Sequence, residues 1–104
     1  MAINDGLFQN ISTVASSLQP NHPTVASATT VSPTTFLTFF TGTAQLTTIN
    51  PPVTGAHMLC FIFTNGSPGA FLTTGNIKAA ITPVQNVPMF VVYDPVTALY
   101  WAMT

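Results

Sequence analysis

Residues 41–63 read TGTAQLTTINPPVTGAHMLCFIF. The first fourteen hold seven threonines or prolines, and the whole stretch is free of Asp, Glu, Lys and Arg. It ends in six consecutive apolar residues, from Met58 through Leu59, Cys60, Phe61 and Ile62 to Phe63. Successive side chains of a strand point to opposite faces. Met58, Cys60 and Ile62 therefore share one face, and Leu59, Phe61 and Phe63 share the other. Both faces are apolar, and a strand apolar on both faces needs cover on both. Residues 36–40, with Phe36 and Phe40, and residues 89–93 read the same way. A single small β domain has too few layers to cover three such strands twice, so a second subunit is expected to supply the missing layer. The expected interface residues are Phe36, Phe40, Met58, Cys60, Phe61, Ile62 and Phe63.

Composition points in the same direction. The chain has 104 residues, enough for one domain. Asp5, Lys78 and Asp94 are its only Asp, Glu, Lys or Arg side chains, 3% of residues, with a net charge of −1. A soluble domain ordinarily carries about 25%. Threonine, at eighteen positions, and other uncharged polar residues stand in their place. So little charge gives weak protection against association, which implies that much of the surface meets protein. Eight Phe, two Tyr and one Trp argue against disorder.

Outward from the opening stretch, runs rich in Phe, Val, Ile and Thr recur and alternate with turn residues. Strands are expected near 24–31 and at 35–41, 44–49, 58–64, 70–73, 77–81, 89–93 and 99–103. Asn50-Pro51-Pro52, Asn65-Gly66-Ser67-Pro68-Gly69, Gly75-Asn76 and Asp94-Pro95 supply turn chemistry between them. The fold class that follows is all-β, a small antiparallel sandwich or barrel over residues 24–104.

Residues 1–23 differ. Leu7, Phe8, Ile11, Val14, Ala15 and Leu18 recur at spacings of three and four, which predicts a short helix with one apolar stripe. Asn4 or Asp5 can cap it and Pro20 and Pro23 end it. An extended arm is the alternative, because Ser12, Thr13, Ser16 and Ser17 are weak helix formers. Either way Leu7, Phe8, Ile11, Val14 and Leu18 need a partner surface.

The inventory of chemically active groups is short. No neighbouring carboxylates, nucleophile elbow or phosphate-binding glycine loop occurs, and His22 and His57 alone make no metal motif. No enzyme activity and no cofactor are therefore expected. His57 reads as a turn or interface residue. Repeated about a three-fold axis it would offer an ion site. Cys60, the sole cysteine, reads as a buried thiol. One lysine cannot neutralise a phosphate backbone, so no nucleic-acid partner is expected. The longest apolar run is far short of the ~20 residues of a membrane helix, so no membrane partner is expected. The start shows no basic segment leading into an apolar one, as a secretory leader would.

The order of short motifs adds a resemblance. Ala26 to Thr30 reads ASATT, followed by Thr41-Gly42-Thr43, Thr47-Thr48-Ile49, Gly55, the apolar run from Met58 to Phe63, Gly75-Asn76-Ile77, and a close from Asp94 to Trp101. This resembles a β module of tailed-bacteriophage virion proteins, found in tail fibres, spikes and capsid-attached proteins. The chain departs from it at Pro51-Pro52, Pro88 and its bulky phenylalanines. The resemblance implies a non-catalytic homotrimer in a virion. A short stand-alone trimer with an apolar arm looks like a capsid decoration (cement) protein, its arm docked on the major capsid protein. A tail-fibre or receptor-binding tip is the alternative, with residues 65–69 as the contact loop.

Overall fold

The structure, a computed structural model, describes residues 23–103. The expected helix or arm, with Leu7, Phe8, Ile11, Val14 and Leu18, lies outside the described residues. The remainder is all-β, as expected, and no helix occurs among the described residues. Seven strands form: β1 (Thr24–Ala26), β2 (Thr30–Val31), β3 (Leu37–Thr41), β4 (Thr48–Ile49), β5 (His57–Phe63), β6 (Met89–Asp94) and β7 (Leu99–Met103). They make a five-stranded sheet in the order β1-β3-β5-β6-β7 and a two-stranded sheet of β2 and β4.

The pairing corrects the expectation of an antiparallel fold. β1 with β3, β3 with β5, and β2 with β4 are parallel, while β5 with β6 and β6 with β7 are antiparallel. The large sheet is therefore mixed. A parallel pair cannot be joined by a tight hairpin and needs a crossover. Here the crossovers are themselves strands. After β1 the chain passes to β2 in the small sheet, returns as β3, passes to β4, and returns as β5. Residues 24–63 thus wind between two sheets, and only the last three strands meander. The run expected at 24–31 divides into β1 and β2 for this reason.

The strands expected at 70–73 and 77–81 do not form, and that at 44–49 contracts to Thr48–Ile49. Their backbones bond irregularly instead. Phe71 N–H donates to the Ile81 carbonyl at 2.7 Å, and Leu72 N–H to the Leu46 carbonyl at 2.8 Å. These segments still bury Leu46, Phe71 and Ile77 completely. They complete one core with Val31 and Ile49 of the small sheet and Phe40, Leu59, Phe61, Phe63, Met89, Val91 and Tyr100 of the large one. Phe40 sits at its centre, stacked on Phe63 at 5.0 Å and edge-on to Phe61 at 4.9 Å. Such ring geometry adds to what burial alone contributes.

Asn76 joins the two sheets. Its side chain behaves like a strand residue towards Ile49: Oδ1 accepts from Ile49 N–H at 2.8 Å, and Nδ2 donates to the Ile49 carbonyl at 2.7 Å. Its own carbonyl accepts from Tyr100 N–H at 2.7 Å, and Lys78 N–H donates to the Tyr100 carbonyl at 2.7 Å. Residues 76–78 therefore satisfy part of the outer edge of β7, which would otherwise offer free backbone groups. Gly75 permits this approach, because a Cβ there would run into the Thr47 carbonyl oxygen. At the β6–β7 hairpin the carboxylate of Asp94 accepts from Val96 N–H at 3.0 Å and from the Thr97 hydroxyl at 2.8 Å. Ala98 completes the turn at φ 56°, so Asp94 opens a hairpin that closes at Leu99, as expected.

Replacing Asn76 with alanine leaves both Ile49 backbone groups without their partner. A loss of about 2 kcal/mol in unfolding free energy is expected, to be read from urea unfolding of the variant against the parent chain.

Candidate functional site

Strand register sorts every side chain of the large sheet onto one of two faces. Phe40 pairs with Phe63, Phe61 with Met89, Leu59 with Val91, and Tyr93 with Tyr100. All of these are buried and point to the core. The opposite face is the candidate site. Phe39 and Ile62 form one row across it. Leu37, Cys60, Phe90 and Met103 form the next, and Met58, Val92 and Trp101 the third. Asp94 and Leu99 close it.

From β3 to β7 this outer face is largely apolar, and towards the β1 edge it turns polar at the exposed Thr24 and Thr41. Met58 is 44% exposed, and Trp101 and Met103 are each 47% exposed. Leu37, Phe39, Ile62, Phe90, Val92 and Leu99 are half-buried. The one ionisable acid on it is Asp94, at a corner and engaged by its own turn. A sheet face left to water normally carries polar residues in alternation with the core. Five strands at ordinary spacing, each contributing about five residues, give a face on the order of 400 Å². The largest apolar patch of an ordinary monomer is about 300–600 Å² and often functional, which makes this face the candidate site.

The seven residues expected at a subunit interface divide by face. Phe40, Phe61 and Phe63 are 1%, 0% and 0% exposed and are buried by the chain itself. They are core residues and are closed to a partner. Met58, Cys60 and Ile62 stand on the outer face, Met58 exposed, Ile62 half-buried and Cys60 buried. Phe36 is half-buried just before β3. Parity within a run, read from sequence, separates the two sets but does not say which set faces inward. Trp101, Phe90 and Met103 belong to the outer face and were not among the expected interface residues. The alternation Trp101–Met103 against Tyr100–Ala102 was the available signal.

Cys60 is buried at 5% exposure, flanked in its row by Leu37 and Phe90. Desolvation pushes its thiol pKa up, so it stays protonated near neutrality and is a poor nucleophile.

A second cluster lies on the core side at the opposite end of β5. His57 stacks on Tyr93 at 5.0 Å and meets Tyr100 edge-on at 5.5 Å. Its Nδ1 lies 2.8 Å from the Gly55 carbonyl and its Nε2 lies 2.7 Å from the Tyr100 hydroxyl. A carbonyl can only accept, so Nδ1 carries the proton and Nε2 of the neutral ring accepts from the tyrosine. Both ring nitrogens are thereby taken within the chain, which leaves no lone pair for the ion site considered above. Among the described residues no group of three His, Cys, Asp or Glu is placed to hold a metal. Lys78 is exposed, and the Asp94 carboxylate that could have paired with it serves the hairpin turn.

Comparison with protein-family models, with curated proteins and with solved structures finds no match to this chain.

Burial, and then the neighbouring Tyr93, raise the pKa of Tyr100 well above the usual phenol value of 10.0. A raised folded-state pKa gives stability that is complete below the unfolded value and lost as pH rises beyond it. The Tyr100 contribution to stability is therefore expected to hold up to about pH 10 and to fall above it. In Tyr100→Phe, unfolding free energy should be lower by about 1 kcal/mol near neutrality, and the alkaline decline should shrink. Urea unfolding of both proteins between pH 8 and pH 11 reads both effects.

Proposed function

We propose that the chain is a non-catalytic structural subunit of a virus particle, a decoration (cement) protein. In this reading it assembles as a homotrimer on the head of a tailed phage and bridges copies of the major capsid protein. The observation that carries the assembly part is the outer face of the large sheet. It joins three cross-strand rows of apolar side chains on a protein with only three Asp, Glu, Lys or Arg residues. A protein that worked alone in water would need charge or polarity there.

The motifs behind the virion part support it by taking framework roles. Gly42 of Thr41-Gly42-Thr43 has φ 85°, a conformation suited to glycine, at the end of β3. Thr48 and Ile49 are β4. Gly75 and Asn76 tie β4 to β7, and Asp94 builds the hairpin. These are the parts of a turn-rich β domain that holds its shape through backbone bonds and small polar side chains.

The full chain at micromolar concentration is expected to sediment as an oligomer. Met58→Glu with Trp101→Glu, which puts two carboxylates into the outer face, should raise the dissociation constant at least tenfold. A parent chain that sediments as a folded monomer contradicts the assembly reading. For location, electron cryo-microscopy of the native particle should place the protein on the head in hundreds of copies. Density confined to the tail contradicts the decoration reading.

A further inference from the structure

Asn65-Gly66 is the one Asn-Gly pair in the chain. It lies in the loop that leaves β5, and neither the core nor the outer sheet face uses it. We propose that Asn65 is a self-modifying site, where the side-chain amide is lost to water through a cyclic imide without an enzyme. The residue becomes a mixture of aspartate and isoaspartate, and the loop gains negative charge as the molecule ages. The inference stands apart from the assembly reading and holds for a monomer or an oligomer.

The nucleophile is the backbone nitrogen of Gly66. Among the described residues its N–H makes no hydrogen bond, and Gly66 is exposed. A base from solvent can therefore take the proton. Glycine has no Cβ to obstruct the nitrogen as it approaches the preceding side chain. The electrophile is Asn65 Cγ. Its Oδ1 accepts from Ser67 N–H at 2.8 Å, which folds the amide back towards the peptide that attacks it. The same N–H stands where charge develops. When the nitrogen adds to Cγ, the carbonyl electron pair moves to Oδ1, and a donor already in place stabilises it.

Gly66 N gives its proton to hydroxide, and its lone pair forms the N–Cγ bond. The tetrahedral carbon then collapses. The Cγ–Nδ2 bond breaks, and Nδ2 leaves as ammonia after taking a proton from water. Water opens the resulting imide at one of its two carbonyls. Addition at Cγ breaks the new N–Cγ bond and leaves aspartate in an ordinary chain. Addition at the backbone carbonyl breaks the original peptide bond and leaves isoaspartate, with the chain running through the side chain. One water is consumed and one ammonia released, and nothing is oxidised or reduced.

The other described asparagines lack this arrangement. Asn50 precedes Pro51, which has no N–H to lose. Asn76 has both side-chain polar atoms bound to Ile49 and precedes the β-branched Ile77. Asn86 precedes Val87, whose N–H is held by the Val84 carbonyl at 3.1 Å.

The loop registers the change because its ends are fixed. Thr64 N–H donates to the Phe40 carbonyl at 3.0 Å, and the Thr64 carbonyl accepts from Gln85 Nε2 at 3.0 Å. At the other end Gly69 lies so close to Ala44 that a Cβ would collide with its carbonyl oxygen. The extra main-chain atom of isoaspartate has to be taken up between these points. The new carboxylate takes the net charge from −1 to −2, in a chain whose other acids are Asp5 and Asp94 alone.

The test incubates the full chain for weeks at pH 7 and at pH 9, beside Gly66→Ala. A Cβ on Gly66 would meet only Gln85 Oε1, at an ordinary 3.7 Å, so the variant keeps the fold, which its urea midpoint checks. Products are read by peptide mapping with electron-transfer fragmentation, which separates aspartate from isoaspartate. Both are expected at Asn65, and faster at pH 9, because the deprotonated nitrogen attacks. The rate should exceed that at Asn76 and Asn86 at least tenfold and fall at least tenfold in Gly66→Ala. An intact Asn65, a rate no higher than at Asn76, or aspartate without isoaspartate overturns the inference. An unchanged rate in a folded Gly66→Ala chain also overturns it.

Discussion

β5 is held on four sides, and the rest of the structure follows from satisfying them. Its two edges pair with β3 and β6, one parallel and one antiparallel. Its inner face places Leu59, Phe61 and Phe63 in the core, and its outer face presents Met58, Cys60 and Ile62. Burying three large side chains on one face contributes several kcal/mol, so the inner face fixes the register. The outer face is then committed to apolar exposure, because a one-residue slip would exchange the two sets without removing the problem.

The parallel winding is the consequence with the widest reach. Threading residues 24–63 between two sheets puts Val31 and Ile49 over Phe40 and Phe61 without a helix. It seals one face of the large sheet and leaves Met58, Trp101 and Met103 exposed on the other. Asn76 and Gly75 then lock the open side of the winding, using two side-chain bonds to one backbone residue and a close approach that excludes a Cβ. The same strap covers part of the β7 edge.

Much of this was legible in the sequence, and the gaps have physical causes. β3, β5, β6 and β7 were placed to within two residues, because dense runs of Phe, Val, Ile and Leu between turn residues admit few other readings. Pairing direction was misread, since a strand that belongs to a second sheet has the same composition as one in a meander. Residues 70–73 and 77–81 carry strand-like side chains, yet their backbone groups bond to scattered loop partners, and composition does not record that choice. The two apolar faces of β5 were visible in Met58 through Phe63, but only the register identified Phe40, Phe61 and Phe63 as interior. The bond from Tyr100 to His57 joins residues 43 apart in sequence and has no local signature.

The central claim is that Met58, Trp101 and Met103, exposed on the single chain, are covered in the working protein. Hydroxyl-radical footprinting of the full-length protein at micromolar concentration tests it directly, because methionine and tryptophan are readily oxidised side chains. The account predicts that oxidation of these three residues is suppressed at least severalfold relative to the same chain in denaturant. Oxidation at the denatured rate, with Met89 of the core protected in the same sample, would contradict it.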